Sequence, residues 1–226
     1  MALATPLPEA LVFFAAYLVG GIPFGWLFAR VFKRMDLRKV GSGSVGATNC
    51  SRLWPGTPGI GVFLLVFLLD FYKGYCVVLF ATDLARVFGH VPFSEDGVFA
   101  LQAIAGLGGI LGHIFTPYLR FRGGKGVATA FGVVTALAPL SSLWGLGAWG
   151  MVLGITRYMS LGSLAAMAAI TLSYGIDNGP QTFGSRLVVF ALFVVMSGFV
   201  VWSHRANIAR VLQGRERKVG AVDQKL

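Results

Sequence analysis

Apolar residues in this chain fall in long unbroken runs, separated by short polar segments rich in glycine and basic residues. The runs cover about 8–30, 58–82, 98–118, 126–141, 142–156, 161–176 and 185–203. A helix rises 1.5 Å per residue, so crossing a hydrocarbon layer of about 30 Å takes about 20 apolar residues. The runs at 126–141, 142–156 and 161–176 are short by that measure. Pro139-Leu140-Ser141-Ser142 predicts a turn between the first two of them. The rival reading fuses 126–156 into one long helix and lowers the number of crossings. The pattern predicts an all-α, polytopic transmembrane helix bundle of seven spans. It forms a single domain, 1–226, without internal repeat or long linker.

Charge decides for seven. With the N-terminus outside and the C-terminus cytoplasmic, one face collects 30–57, 119–125, 157–160 and 204–226. That face then holds all of the 19 Lys and Arg except Lys73, Arg86 and Arg186. Glu9, Asp83, Glu95, Asp96 and Asp177 fall on the other face. Such an excess marks cytoplasmic loops. Composition agrees: 56% of residues are hydrophobic and only 12% charged, against roughly a quarter charged in a soluble domain. The net charge of +10 sits beside spans, which points to lipid headgroups and phosphorylated substrates and away from nucleic acid. MALATPLPEA carries no Lys or Arg, so the first apolar run is expected to stay as a span rather than be cleaved as a signal peptide. Cys50 and Cys76 have no metal or disulfide spacing and read as small packing residues.

Two loops carry chemistry suited to phosphate. The first reads DLRKVGSGSVGATNCSR from Asp36 to Arg52. Gly41, Gly43 and Gly46 permit close backbone approach and can turn N–H groups toward an anion. Ser42, Ser44, Thr48 and Asn49 supply neutral donors, and Arg52 can fork onto two phosphate oxygens. The second reads LRFRGGKGVAT, with Gly123-Gly124-Lys125-Gly126 where the next helix should begin. A helix N-terminus favours phosphate, although the GxxxxGK[ST] spacing of a P-loop is absent. Arg120 and Arg122 are read equally well as side chains snorkelling to headgroups.

A third element, WSHRANIARVLQGRE, leaves the last run as an interfacial amphipathic helix. It spaces His204, Asn207 and Arg210 three apart, and His204 is a candidate ligand or proton carrier. Asp70 and Lys73, one turn apart inside an apolar run, are expected to pair with each other. Ser160 and Ser163, after Arg157, are read as helix caps or substrate contacts, with capping preferred. His113 is read as buried and hydrogen-bonded, and His90 as external surface.

Taken together, GSGSVGATN with Arg52 behind it, RGGKGVAT and HRANIARVLQGRE resemble the bacterial acyl-phosphate:glycerol-3-phosphate acyltransferase family. DFYKG at Asp70–Gly74, Gly112-His113 and SLGS also fit its pattern, and the resemblance covers about residues 10–216. Ser44 departs from it, standing where the family's GSGN has Asn. The resemblance implies an integral enzyme of the bacterial inner membrane with its active site on the cytoplasmic side and no cofactor or metal. It would transfer a fatty acyl group from acyl phosphate to the 1-hydroxyl of glycerol 3-phosphate, giving lysophosphatidic acid and phosphate. His204, Lys125 and Asn207 would be catalytic. Ser42, Gly43, Ser44, Gly46, Thr48, Asn49, Arg52, Gly123, Gly124, Gly126, Ser160 and Ser163 would hold substrate phosphate.

The donor choice has support in an absence. Glycerophosphate acyltransferases of the soluble type use His-x4-Asp, whereas the fifth residue after His113 is Tyr118 and after His204 is Ala209. After His90 it is Glu95, on the predicted outer face. Acyl phosphate is a mixed anhydride with a good leaving group, so charge neutralisation by Lys125 and Arg52 matters more than a covalent nucleophile. Cys50, without an adjacent base, is a poor acyl carrier. The proton acceptor stays open between His204 and a phosphate oxygen of the donor, with the second preferred. A transporter would want inverted repeats, which are not visible. A metal-dependent phosphotransferase would want an aspartate cluster, and the cytoplasmic carboxylates are only Asp36, Glu216 and Asp223.

Overall fold

A computed structural model describes residues 7–89, 92 and 94–220. His90, Asp223, Lys225 and the first six residues lie outside the described residues, and so do the expectations that fall on them. Among the described residues the regular structure is entirely helical, and the chain divides into two compact units, Met1–Leu137 and Ala138–Leu226. Four helical stretches are long and apolar enough to cross a membrane: Pro8–Lys33, Thr57–Leu79, Glu95–Leu119 and Met159–Phe183. A fifth is Leu187–Ser203 with Arg205–Leu212, if that pair, bent by 56°, counts as one span.

In the first unit, the first apolar run is broken at Ile22-Pro23 into α1 (Leu7–Gly21) and α2 (Phe24–Lys33). Proline has no N–H for an interior helical bond, which accounts for the break that the apolar pattern alone does not show. A short α3 (Ala47–Ser51) precedes α4 (Thr57–Leu79), α5 (Ala81–Val87), α6 (Glu95–Ile114) and α7 (Val127–Leu137). Glycine lets α1 and α6 lie backbone to backbone. A Cβ on Gly108 would meet the Phe13 carbonyl at 2.5 Å, and one on Gly112 would meet the Tyr17 carbonyl at 2.0 Å. Both partners advance together along the chain, so α1 and α6 run in the same direction. Gly74 of α4 and Gly132 of α7 allow the same closeness between those two helices. Close approach of small residues replaces the hydrophobic driving force that lipid cannot supply between helices.

The second unit is an antiparallel series of α8 (Pro139–Thr156), α9 (Met159–Asn178) and α10 (Leu187–Ser203), ending in α11 (Arg205–Leu212). Gly145 packs on Ile170 and Gly162 on Trp149 between α8 and α9. Tyr174 meets Phe193 edge-on, and Thr171 and Ser197 share a hydrogen bond of 3.0 Å between α9 and α10. The sequence places a turn at Pro139–Ser142, but the structure starts α8 at Pro139. Ala138 before it is non-helical (φ −150°, ψ 74°), because the proline ring disfavours helical backbone in the residue that precedes it. Ser142 accordingly hydrogen-bonds the Pro139 carbonyl inside the helix rather than making a loop. The break at Ala138 also removes the reading of 126–156 as one helix.

Candidate phosphate site

The first glycine loop is organised by one buried side chain, Asn49. Its Nδ2 donates to the carbonyls of Leu37, Val40 and Ser44 at 3.2, 2.9 and 2.9 Å. Its Oδ1 accepts the Ser42 N–H at 3.1 Å. Gly41 turns at φ +57°, and a Cβ there would come within 2.4 Å of Asn49 Oδ1. The hydrogens of Asn49 are thus committed to loop carbonyls, and it shapes the loop expected to meet phosphate. The Gly43 N–H likewise bonds the Val40 carbonyl at 3.0 Å. Gly46 is extended at φ −83° and starts α3, which carries Thr48. The Arg52 guanidinium lies 3.7 Å from where a Gly41 Cβ would sit, so the cation flanks the turn. Ser42 is exposed, while Ser44 and Thr48 are half-buried.

The second loop rests on the end of α6. The Gly123 and Gly124 N–H groups bond the Ile114 and His113 carbonyls, each at 3.0 Å. A Cβ on Gly124 would stand 2.1 Å from His113 Nε2, and one on Gly123 would stand 2.0 Å from the His113 carbonyl. These two glycines let the loop lie flat on α6. Beneath them, Lys73 pairs with Asp70 at 2.8 Å, as the sequence predicts, and donates to the Ile22 carbonyl at 2.8 Å. His113 is buried as expected, with Nδ1 3.6 Å from Asp70. This cluster ties the α1–α2 break, α4 and α6 together under the loop. Gly126, at φ +81°, then releases the chain into α7, with Lys125 at its head. The helix start expected after Gly126 is where α7 begins. Both loops occupy one end of the first unit, since Leu119 shares a buried cluster with Leu37, Val45 and Cys50.

In the second unit the organising side chain is Glu216. Its Oε1 accepts Ser160 Oγ at 2.9 Å and Asn207 Nδ2 at 2.6 Å, and its Oε2 accepts Arg210 Nε at 2.8 Å. Burial raises the pKa of this carboxyl, but the hydrogen bonds from Asn207, Arg210 and Ser160 outweigh it and hold the net value below the usual glutamate range. Ser160 and Ser163 do not cap α9. Ser160 serves Glu216, and Ser163 Oγ bonds the Met159 carbonyl at 2.9 Å. His204 is buried at the bend between α10 and α11, where Nδ1 lies 2.8 Å from the Val200 carbonyl. A carbonyl only accepts, so Nδ1 carries the hydrogen in this contact. Arg157 bonds the Val219 carbonyl at 2.9 Å, so the 157–160 turn and the C-terminal segment share one end of this unit.

Sequence reasoning did not single out Glu216. Its partners lie up to 56 residues away, and no spacing in the chain announces them. Its position as the last residue of the third motif was the available signal.

A family model described as glycerol-3-phosphate acyltransferase matches residues 10–214. The glycerol-3-phosphate acyltransferase of Halalkalibacterium halodurans is 38% identical over 211 residues, spanning 93% of this chain and 95% of that one. A crystal structure of PlsY (YgiH), an integral membrane glycerol 3-phosphate acyltransferase, in its glycerol 3-phosphate form is similar at a TM-score of 0.79. It is 36% identical and covers 94% of this chain and 96% of its own. Its lysophosphatidic acid form is similar at 0.76, with 35% identity over 95% and 96%. Across almost its whole length, this chain belongs to the glycerol-3-phosphate acyltransferase family.

Proposed function

We propose that this protein transfers a fatty acyl group from acyl phosphate to the 1-hydroxyl of glycerol 3-phosphate, the first acylation of phospholipid synthesis, without a cofactor. The observation that carries the reading is the pairing of two cation-bearing loops at one end of the first unit. One turns at Gly41 beside Arg52, and the other leads through Lys125 into the N-terminus of α7. Two phosphates must be held without repelling each other, and Arg52, Lys125 and the opening N–H groups of α7 are the charges and dipoles for that. Ser42, Ser44, Thr48, Gly46 and Gly126 belong to the same surface. Gly43, Asn49, Gly123 and Gly124 act on it as positioning residues.

In the reaction the glycerol 1-hydroxyl oxygen attacks the carbonyl carbon of the mixed anhydride. The bond from that carbon to the phosphate oxygen breaks, and inorganic phosphate leaves with the electron pair. The hydroxyl proton passes to an oxygen of the departing phosphate. His204 is the alternative acceptor, its imidazole oriented by the Nδ1–H bond to the Val200 carbonyl. Within the second unit, Asn207 and Ser160, held by Glu216, and Ser163 of the same helix as Ser160 are proposed as substrate contacts.

We also propose one functional domain of seven spans in the bacterial inner membrane, with the N-terminus outside and the site on the cytoplasmic side. Two observations support it. Basic segments gather at one end of each unit, and α1 and α6 run in the same direction, which requires an odd number of crossings between them. α7, with 11 residues, is about 16 Å long and is the joint on which seven turns. Cysteine introduced at Ala138 should react with an impermeant maleimide from outside and cysteine at Ser42 only from inside. Labelling of both from one side removes the seventh crossing.

The activity is tested with purified protein in lipid, given glycerol 3-phosphate and either palmitoyl phosphate or palmitoyl-CoA. Lysophosphatidic acid and free phosphate are expected from the first donor only, without added magnesium. Product from the CoA donor alone would reject the donor assignment.

A further inference from the structure

A basic concavity of the first unit is formed by the opening residues of the same two loops, ahead of the glycines in each. It measures about 630 Å³ and lies between the Asp36–Lys39 segment and the turn that follows α6. Arg38, Lys39, Arg120 and Arg122 line it, with Trp26 and Tyr118 as its aromatic walls. None of Ser42, Arg52 or Lys125 contributes to the lining.

The acidic member is already neutralised. Asp36 takes Arg38 Nη2 at 2.7 Å and Nε at 3.0 Å, and Trp26 Nε1 at 3.0 Å. Arg38 also reaches the Leu119 carbonyl at 3.5 Å, which fixes the two walls to each other. Among the described residues, no hydrogen bond or ion pair engages the side chains of Lys39, Arg120 or Arg122. Asp36 being paired with Arg38, three positive charges line the cavity with no further carboxylate among the described residues of its lining. The turn that delivers two of them is unusual. Arg120 and Phe121 are consecutive non-glycine residues in the left-handed region, at φ +55° and +61°. A folded chain keeps such conformations where its surroundings require the side chains to point in set directions.

The rim says what kind of anion fits. Tyr118, which lines the cavity, is 54% exposed, and Phe121, between the lining residues Arg120 and Arg122, is 64% exposed. Exposed aromatics next to uncompensated cations suit a molecule that is apolar at one end and anionic at the other. Tyr118 also donates to the Leu18 carbonyl on α1, which places this rim against a spanning helix. We infer that this cavity is a discrete binding site for the headgroup of an anionic phospholipid, with Lys39, Arg120 and Arg122 on the phosphate and Tyr118 and Phe121 along the start of the acyl chains. The site is independent of the acyl-transfer reading, since its residues are separate from those that hold substrate.

The test uses the full chain released gently from membranes and examined by native mass spectrometry with added phosphatidylglycerol or phosphatidylcholine. Wild type should retain one phosphatidylglycerol more tightly than phosphatidylcholine. Arg120→Gln/Arg122→Gln should lose about tenfold of that preference, and Arg120→Lys/Arg122→Lys should keep most of it. Millimolar glycerol 3-phosphate should not displace the bound lipid. Equal retention of the two lipids, an unchanged preference in the Gln variant, or displacement by glycerol 3-phosphate would each overturn the inference, the last by making the cavity a port for soluble phosphate. If the double Gln variant does not fold, Lys39→Gln decides, with about threefold loss expected and no loss counting against the site.

Discussion

The two units solve the same problem with opposite means. In the first, the surface proposed to meet substrate is shaped by backbone: Asn49 gathers three carbonyls, and Gly123 and Gly124 hang on the end of α6. In the second, side chains are drawn to a carboxylate, and Glu216 holds Ser160, Asn207 and Arg210 in place. A backbone surface tolerates almost no added atoms, because the peptide groups it packs against cannot move aside. A side-chain hub tolerates changes of shape but not of charge or hydrogen-bonding capacity. The first unit should therefore be sensitive to volume, and the second to chemistry.

The largest effects are expected at the side chains proposed as catalytic, Lys125 in the first unit and His204 in the second. Lys125→Ala and His204→Ala should each lower turnover by about a hundredfold or more while the protein stays folded. Loss of the charge stabilising a leaving phosphate should appear mainly in kcat. Near-normal rates in either variant take that residue out of the site. A smaller pH dependence in His204→Gln than in wild type would assign the proton to the imidazole; an unchanged profile assigns it to the donor phosphate.

Volume sensitivity is tested next, at Gly124. The added methyl of Gly124→Ala would stand 2.1 Å from His113 Nε2, so either the loop lifts or the imidazole moves off Asp70. About tenfold loss of activity is expected, with the melting temperature lowered only slightly. His113→Ala in the same chain opens room for the methyl and should recover part of the loss. If the double variant is no better than Gly124→Ala, the loop does not depend on that seat.

These contrasts also separate what could be read from the chain and what could not. Apolar runs, the Asp70–Lys73 pair and the helix start after Gly126 follow from hydropathy, spacing and glycine placement, all of which are local. Pro23 and Pro139 were visible as letters, but whether a proline breaks a helix or begins one depends on the packing around it. The hydrogen bonds of Asn49 and the seat of Gly124 on α6 were not legible in the chain, for a physical reason. A polar or glycine-rich loop has the same composition whether its donors face a ligand or its own carbonyls, and only distances such as Asn49 Nδ2 to Val40 at 2.9 Å distinguish the two. Glu216 was hidden more deeply, because its meaning lies in partners from a different helix.

Chemistry sensitivity in the second unit is tested at that residue. Glu216→Ala leaves Asn207, Arg210 and Ser160 without their shared acceptor and should cost about 2–3 kcal/mol of stability, read as earlier proteolysis of the C-terminal segment. Glu216→Gln keeps the shape and should lose less. Acid gives the same comparison without mutation. A carboxyl held below its ordinary value of 4.5 contributes stability that is complete above pH 4.5 and is lost as pH falls through its lower folded value. The hub should therefore stay intact between pH 8 and 5. Loosening within that interval would mean that the carboxylate is not what holds it.

The smallest effect is expected at Cys50, inside the backbone-built unit and a few residues from Arg52. Proximity to the site invites the idea of a covalent acyl carrier, but its surroundings argue otherwise. Cys50 is fully buried among Ala29, Leu37, Val45 and Val66. Burial first, and the negative charge of Asp70 second, push the thiol up to about 11. At pH 8 only about one molecule in a thousand would then carry the thiolate that could take an acyl group. Cys50→Ala removes one sulfur from a packed cluster, which should cost about 1 kcal/mol and leave turnover within twofold. Maleimide should react with the native thiol only as fast as the chain unfolds. A Cys50→Ala variant with turnover reduced tenfold at unchanged stability would show that the volume rule for this unit is incomplete and that sulfur chemistry belongs in the mechanism.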